Sequence, residues 1–332
     1  MTTRIAINGF GRIGRNVLRA LVERGSELEV AAVNDLTGPA TLAHLLRYDS
    51  TLGRFGRTVE VDGDTLVVDG RRIAALAERE PGKLPWAELG VDVVLEATGR
   101  FTAADAARAH LDAGARRVLV GAPSAGADVT LAYGVNTAAY DPAAHTVISN
   151  ASCTTNALAP LAAVLDDLAG IEHGFMTTVH AYTQEQNLQD GPHRDLRRAR
   201  AAGVNIVPTT TGAAKAIGLV LPGLDGRLSG DSIRVPVPVG SLVELNTTVE
   251  REVTRDEVLA AYRAAADGPL AGVLEYSEDP IVSSDIAGNP ASAIFDAPLT
   301  RVAGRHVKVV AWYDNEWGFS NRVVDTLELL AG

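Results

Sequence analysis

The chain has 332 residues, 46% hydrophobic and 21% charged, with a formal net charge of −11 and one cysteine. That length suits two domains of the usual ~100–150 residues, and the apolar fraction can build a sizeable core. The composition excludes a disordered chain and any intramolecular disulfide, and the acidic balance argues against sequence-independent nucleic-acid binding. No apolar run approaches the roughly 18 residues of a membrane helix. The start, MTTRIAINGF, lacks a signal peptide's basic and apolar regions. The expectation is a cytoplasmic protein with no membrane or nucleic-acid partner.

Strand and helix signals alternate through the first half, the pattern of a parallel sheet covered by helices. Arg4–Asn8 is a short apolar strand. A glycine turn follows, then helical spacing over Asn16–Glu23. Glu29–Val33 is the next strand, ending at Asn34-Asp35. Thr58–Ile73 reads as small antiparallel strands around Asp-Gly turns. Val91–Glu96 and Arg117–Val120 are further strands, with an alanine-rich helix over Thr102–Ala113 between them. After residue 150 the pattern changes. A helix over Thr154–Leu168 precedes extended segments at Phe175–His180, Ser232–Val239, Ser241–Val249 and His306–Tyr313, which predict a mixed or antiparallel sheet. A long irregular stretch, Thr183–Pro208, lies among them, and such loops are more often functional than accidental.

Gly9-Phe10-Gly11-Arg12-Ile13-Gly14 fits G-x-G-x-x-G between a strand and a helix, with Asp35 ending the second strand. Gly9 permits the tight turn. Gly11 lets backbone approach a pyrophosphate, and Gly14 lets the helix pack close to the strand. The helix N-terminus offers N–H groups and a positive dipole to phosphates. Asp35 suits the adenosine ribose hydroxyls and repels a 2′-phosphate, so the expected cofactor is NAD. The competing reading is a structural turn with a capping aspartate.

Cys153 sits where a strand, Thr146–Ser149, gives way to a helix. A lone cysteine is usually a small buried hydrophobe. Here the helix dipole favours thiolate, and Ser152, Thr154 and Thr155 surround it with donors. His180 ends an apolar strand and is a candidate base for that thiol. Most of the other histidines lie in polar or helical contexts and read as surface residues. Residue pattern alone balances a Cys153–His180 pair evenly against unrelated roles. No ligand spacing suggests a metal.

INGFGRIGR, YDSTLGRF, EATGRFT, SNASCTTNALAP, HAYT, DLRRARAA, NIVPTTTGAAKA and WYDNEWGFSNRVVD, in that order, closely resemble phosphorylating glyceraldehyde-3-phosphate dehydrogenases, and the resemblance spans nearly the whole chain. It implies a doubly wound parallel NAD-binding Rossmann domain over 1–150, rejoined by a C-terminal helix over about 316–332. An α+β catalytic domain with a mixed or antiparallel sheet would cover 151–315. It implies the glycolytic oxidation of glyceraldehyde 3-phosphate to 1,3-bisphosphoglycerate with NAD and inorganic phosphate. Cys153 would be the nucleophile, passing through a hemithioacetal and a thioester, and His180 the base. Thr183 and Arg234 would bind the substrate's phosphate. Ser152, Thr154, Thr211 and Gly212, with Arg198 nearby, would bind the attacking phosphate. On the residues alone, Arg198 within LRRAR reads equally well as a solvated basic turn. Arg12, Ile13, Arg79, Thr98, Gly99, Phe101, Gly121, Tyr313 and Asn315 would complete the NAD cleft, Asn315 holding the nicotinamide carboxamide. The Thr183–Pro208 stretch matches the family's long loop at a subunit interface, so the resemblance implies a homotetramer.

Four positions depart from the family's usual pattern. Ala157 replaces a second cysteine, and Gly121 a serine or threonine. Gly191-Pro192 replaces Leu-Pro, and Gly230-Asp231-Ser232-Ile233 precedes Arg234 where Met-Ala-Phe is common. They raise the expectation of a specialised, electrophile-resistant isoform. The rival readings are erythrose-4-phosphate dehydrogenase, an NADP-dependent form, and a catalytically silent NAD-binding scaffold.

Overall fold

The computed structural model describes residues 2–332, which divide into two compact units. One holds the chain up to Leu131, then Thr137–Ala151 and Ser320–Gly332. The other holds Ala132–Asn136 and Ser152–Phe319.

The first unit is built on a nine-stranded sheet. Its strands are β1 (Arg4–Asn8), β2 (Glu29–Asn34), β5 (Val59–Asp62), β6 (Thr65–Val68), β7 (Arg71–Leu76), β8 (Val93–Glu96), β9 (Arg117–Val120), β10 (Val129–Thr130) and β11 (Val147–Ser149); β3 (Tyr48–Asp49) and β4 (Gly53–Arg54) form a separate small hairpin. The order is β10-β11-β9-β8-β1-β2-β7-β6-β5. Pairing is parallel from β10 through β7, and only the β5–β6–β7 meander is antiparallel. The chain starts mid-sheet and winds outward first one way, then the other. Ile5, Ala6 and Ile7 are wholly buried, as a strand covered on both faces requires. Asn8 pairs with Asn34 on one side and Glu96 on the other. The C-terminal ends of β1, β2 and β8 therefore line up at the topological switch point, where such sheets bind ligands.

Helix α1 (Arg12–Glu23) begins four residues before the expected Asn16, directly on the glycine turn. Helix α2 (Pro39–Arg47), which the sequence reading omits, starts with proline at its first position. The expected single helix over Thr102–Ala113 is two short ones, α3 (Ala104–Ala107) and α4 (Ala109–Asp112). Leu111 N–H donates to the Arg108 carbonyl three residues back, so the turn tightens at their junction.

The second unit carries an eight-stranded sheet. Its members are β12 (Ile171–Ala181), β13 (Val207–Thr210), β14 (Leu228–Val235), β15 (Ser241–Val249), β16 (Leu274–Ser277), β17 (Ala293–Asp296), β18 (Arg301–Ala303) and β19 (His306–Tyr313). The main path is β13-β14-β12-β15-β19-β17-β16, with β18 on β19. The sheet is mixed: β12–β14 and β16–β17 are parallel, and the other pairs are antiparallel. Helix α5 (Cys153–Ala169) packs on this sheet with α6 (Ala213–Val220) and α7 (Arg255–Asp267) beside it. Leu158, Leu161 and Leu165 of α5 meet Met176, Val243, Leu245 and Val309 in one core. Tyr262 of α7 stacks on Phe295 at 4.0 Å between centroids. The irregular stretch from Thr183 runs to Ile206, broken only by a short 3-10 turn at Ala202–Val204. The last helix, α8 (Trp317–Ala331), starts in this unit and belongs to the first from Ser320 onward.

Candidate active site

In the first unit a backbone cradle forms past the ends of β1, β2 and β8. Gly9 holds φ +94°, and a Cβ there would lie 2.6 Å from the Thr98 nitrogen. A Cβ on Gly14 would lie 2.2 Å from the Gly9 oxygen, so the helix can approach only with glycine. Gly11 opens on space with nothing within 4 Å, and it caps α1 with no side-chain hydrogen bond. The first N–H groups of α1 thus border room for a pyrophosphate. Asp35 stands one residue past β2. Its carboxylate accepts from Phe10 N–H at 3.1 Å and Thr37 N–H at 3.0 Å, which ties it to the glycine turn. Arg12 pairs with Asp49, and Ile13 is half-buried. Thr98 is half-buried, Gly99 is exposed at φ +70°, and Phe101 is half-buried. Arg79 is exposed beyond β7, and Gly121 follows β9 with its N–H on the Glu96 carbonyl at 2.9 Å. These features fit a dinucleotide.

Beneath that cradle lies a buried polar network that the sequence reading misses. Glu96 accepts from Asn8 Nδ2 at 2.6 Å, from His110 Nε2 at 3.1 Å, and from Thr98 N–H at 2.8 Å. His110 Nδ1 accepts from Trp86 Nε1 at 3.0 Å. Asn8 Oδ1 accepts from Asn34 Nδ2 at 2.7 Å. His110 is 0% exposed, an exception to the surface reading of most of the other histidines. Its alanine-rich helix carries no burial pattern to reveal that.

In the second unit Ser152 caps α5, its Oγ accepting from Thr155 N–H at 3.0 Å. Ala151, just before, holds a left-handed φ of +54°, with its N–H on Ser149 Oγ at 3.1 Å. Cys153 is the first residue of α5 and is half-buried. The parallel register of β12 and β14 sets His180 opposite Arg234. His180 Nε2 lies 3.4 Å from Cys153 Sγ. Its Nδ1 lies 2.7 Å from the Ala181 carbonyl; in the tautomer whose Nδ1–H donates there, the Nε2 lone pair faces the thiol. Arg234 Nη1 presses on the same edge, 2.5 Å from Nδ1 and 3.3 Å from the Ala181 oxygen.

Burial and the Arg234 cation push His180 down to about 3, so the imidazole is neutral at ordinary pH. Burial pushes the Cys153 thiol up, opposed by Arg234 and by hydrogen bonds from Thr154. The pair rests as thiol and neutral imidazole, with His180 Nε2 within reach of the thiol proton. Tyr313 is buried and meets His180 edge-on at 5.9 Å. Its hydroxyl bridges Thr154 Oγ1 and Thr178 Oγ1, each at 2.8 Å. Asn315 Oδ1 accepts from Ser241 Oγ at 2.9 Å and Gly240 N–H at 3.2 Å, which turns its amide into a placed donor.

Arg234 Nε and Thr183 Oγ1 are each buried with no hydrogen-bond partner, and each is a donor of the kind an anion accepts from. Ser152 and Thr154 have their hydroxyls engaged within the protein, on Thr155 and Tyr313. Thr211 Oγ1 accepts from Ala213 N–H at 3.1 Å, and Gly212 caps α6. Arg198 donates to Glu185 at 3.1 Å and to the Thr210 carbonyl at 3.4 Å. Glu185 also reaches Arg234 at 3.0 Å, a role no local pattern announces. Among the described residues no cluster of His, Cys, Asp or Glu suits a metal, and no helix is long and apolar enough to cross a membrane.

Comparison with known proteins gives these features a context. The family profile described as "Glyceraldehyde 3-phosphate dehydrogenase, NAD binding domain" matches residues 3–104, and that of its C-terminal domain matches residues 152–315. The chain is 83% identical over 329 residues to a glyceraldehyde-3-phosphate dehydrogenase of Kitasatospora aureofaciens, covering 99% of both chains. It is 62% identical over 332 residues to glyceraldehyde-3-phosphate dehydrogenase 1 of Streptomyces avermitilis, covering 100% of this chain and 99% of that one. Identity to the Mycobacterium bovis protein of the same name is 58% over 336 aligned positions, with 99% of each chain covered.

Proposed function

The chain belongs to the glyceraldehyde-3-phosphate dehydrogenase family, and we propose how its own residues divide the work. It is an NAD-dependent oxidoreductase that acts on glyceraldehyde 3-phosphate. The observation that carries the residue assignment is the 3.4 Å approach of Cys153 Sγ to the lone pair of a neutral His180.

Cys153 sulfur attacks the aldehyde carbon while its proton passes to His180 Nε2. His180 returns that proton to the new oxyanion, giving a hemithioacetal. Bound NAD supplies the hydride acceptor. As the hydride leaves, His180 takes back the hydroxyl proton and a thioester remains on Cys153. Inorganic phosphate attacks the thioester carbon, the sulfur departs as thiolate and takes the proton back from His180, and 1,3-bisphosphoglycerate forms. Exclusion of water protects the thioester from hydrolysis. Arg234 has two tasks. It keeps His180 unprotonated, and with Thr183 it binds the substrate's phosphate. Arg198, Thr211 and Gly212, with Ser152 and Thr154, take the attacking phosphate once their internal hydrogen bonds are exchanged.

For the cofactor, Gly9, Gly11 and Gly14 give the cradle, with Arg12 and Ile13 in its first turn. Asp35 takes the ribose hydroxyls and disfavours a 2′-phosphate, which favours NAD over NADP. Arg79, Thr98, Gly99, Phe101 and Gly121 border the adenosine side, and Tyr313 and Asn315 serve the nicotinamide. We place residues 1–150 with the final helix in the NAD-binding domain and 151–315 in the catalytic domain. Leu188, Leu196, Val204 and Ile206 are 71–86% exposed along the irregular stretch, an apolar surface that supports a homotetramer. We assign the protein to the cytoplasm.

The test is NADH formation from glyceraldehyde 3-phosphate with and without inorganic phosphate, with erythrose 4-phosphate and NADP in parallel. Turnover that needs phosphate and vanishes in Cys153→Ser is expected. Preference for erythrose 4-phosphate would move the substrate assignment to that aldehyde.

A further inference from the structure

One carboxylate holds both arginines assigned to the two phosphates. Glu185 accepts from Arg198 Nη1 through Oε2 at 3.1 Å and from Arg234 Nη2 through Oε1 at 3.0 Å. Both guanidinium side chains are mostly buried, 17% and 14% exposed, while Glu185 is 44% exposed. Each arginine has further contacts. Arg198 reaches the Thr210 carbonyl and lies 3.4 Å from Asp195, and Arg234 reaches the Ala181 carbonyl. Glu185 is the contact the two share.

A carboxylate on a guanidinium fork occupies the donors a phosphate oxygen needs. It also carries the sign of charge that repels phosphate. Arg234 Nε is buried with no hydrogen-bond partner, so that fork is only partly satisfied by Glu185 and the Ala181 carbonyl. An exposed carboxylate on an irregular segment is the partner that can yield its place.

We propose that Glu185 is a positioning residue that serves as a built-in, displaceable anion between the two phosphate sites. With both sites empty it aligns Arg198 and Arg234. When an anion arrives it competes for the forks, so both anions bind more weakly than the arginines alone would allow. The bisphosphate product must release two phosphate groups, and Glu185 retakes the forks as each one leaves. This inference rests on the reading of Arg198 and Arg234 as the phosphate ligands.

The experiment is steady-state kinetics of the full-length enzyme with saturating NAD, comparing wild type with Glu185→Gln. A like charge ~4 Å from a phosphate weakens binding about five-fold even at water's dielectric constant. The neutral amide is therefore expected to lower the KM for inorganic phosphate and for glyceraldehyde 3-phosphate about five-fold each. The kcat is expected to fall as product release slows. A merely structural glutamate would raise both KM values or leave them alone, and either result overturns the proposal. A fall in only one KM overturns the shared role. Arg198→Leu and Arg234→Leu separate the two levels of inference. If they raise the anion KM values while Glu185→Gln changes nothing, the proposal for Glu185 fails alone. If they do not, the underlying reading of the phosphate sites fails.

Discussion

Two buried histidines, one in each unit, differ in what their ring nitrogens face. His110 lies between Trp86 Nε1–H and the Glu96 carboxylate, so both ring nitrogens are committed to permanent partners. His180 gives one nitrogen to a backbone carbonyl and turns the other to a thiol, and its charged neighbour is an arginine. A carboxylate partner orients and satisfies a ring. A guanidinium partner in a buried site keeps the ring unprotonated and leaves its lone pair available. Both rings are buried, and the partners their nitrogens face distinguish them.

The largest effect expected from breaking this contrast is on chemistry. His180→Gln should lower kcat by about 10²–10⁴-fold, and Cys153→Ser by about 10⁴-fold or more, with little change in the thermal midpoint. Steady-state rates beside a melting curve check both. His110→Ala should reverse the pattern. It leaves the buried Glu96 and Trp86 short of a partner, so about 2–4 kcal/mol of stability goes while kcat in the folded enzyme changes little. Urea unfolding measures that loss, and a His110 variant that folds normally but is inactive would break the comparison.

Acid should separate the two ring environments next. Folded His180 titrates near 3, below its ordinary value of 6.5, so between those values the unfolded chain binds the extra proton. Stability from this residue is complete above about 6.5 and is lost as pH falls toward 3, by up to about 1.4 kcal/mol per pH unit. His180→Gln should flatten that part of the stability profile. Equal slopes in wild type and variant would remove the claim that the ring is held neutral. The smallest change belongs far from both histidines. Thr254 and Glu257 form a reciprocal capping box on α7. Thr254→Ala should cost about 1 kcal/mol in the melting transition and leave kcat and both KM values unchanged.

The same contrast explains how much the sequence alone could reveal. The nucleotide cradle is contiguous and made of backbone. Gly9 and Gly14 announce it through the conformation and close approaches that only glycine allows, and Gly11 leaves open space beside them. The mixed sheet was legible in outline, since Ser241–Val249 and His306–Tyr313 are strands with those bounds. The electrostatics of the reaction pocket were not legible. Arg234 reaches His180 across 54 residues of chain through the parallel pairing of β12 with β14, and residue spacing carries no trace of that register. Glu185 has the local appearance of any surface glutamate. Helices α6 and α7 escaped notice because the extended segments around them gave the stronger pattern. His110 sat in an alanine-rich stretch in which every face looks alike.

The central claim is that oxidation leaves an acyl group on Cys153 for phosphate to remove. A rapid-mixing experiment with enzyme, NAD and glyceraldehyde 3-phosphate in phosphate-free buffer tests it most directly. A burst of about one NADH per chain is expected, then near-arrest, then steady turnover once phosphate is added. Continuous NADH production without phosphate, or a burst that survives in Cys153→Ser, would contradict it.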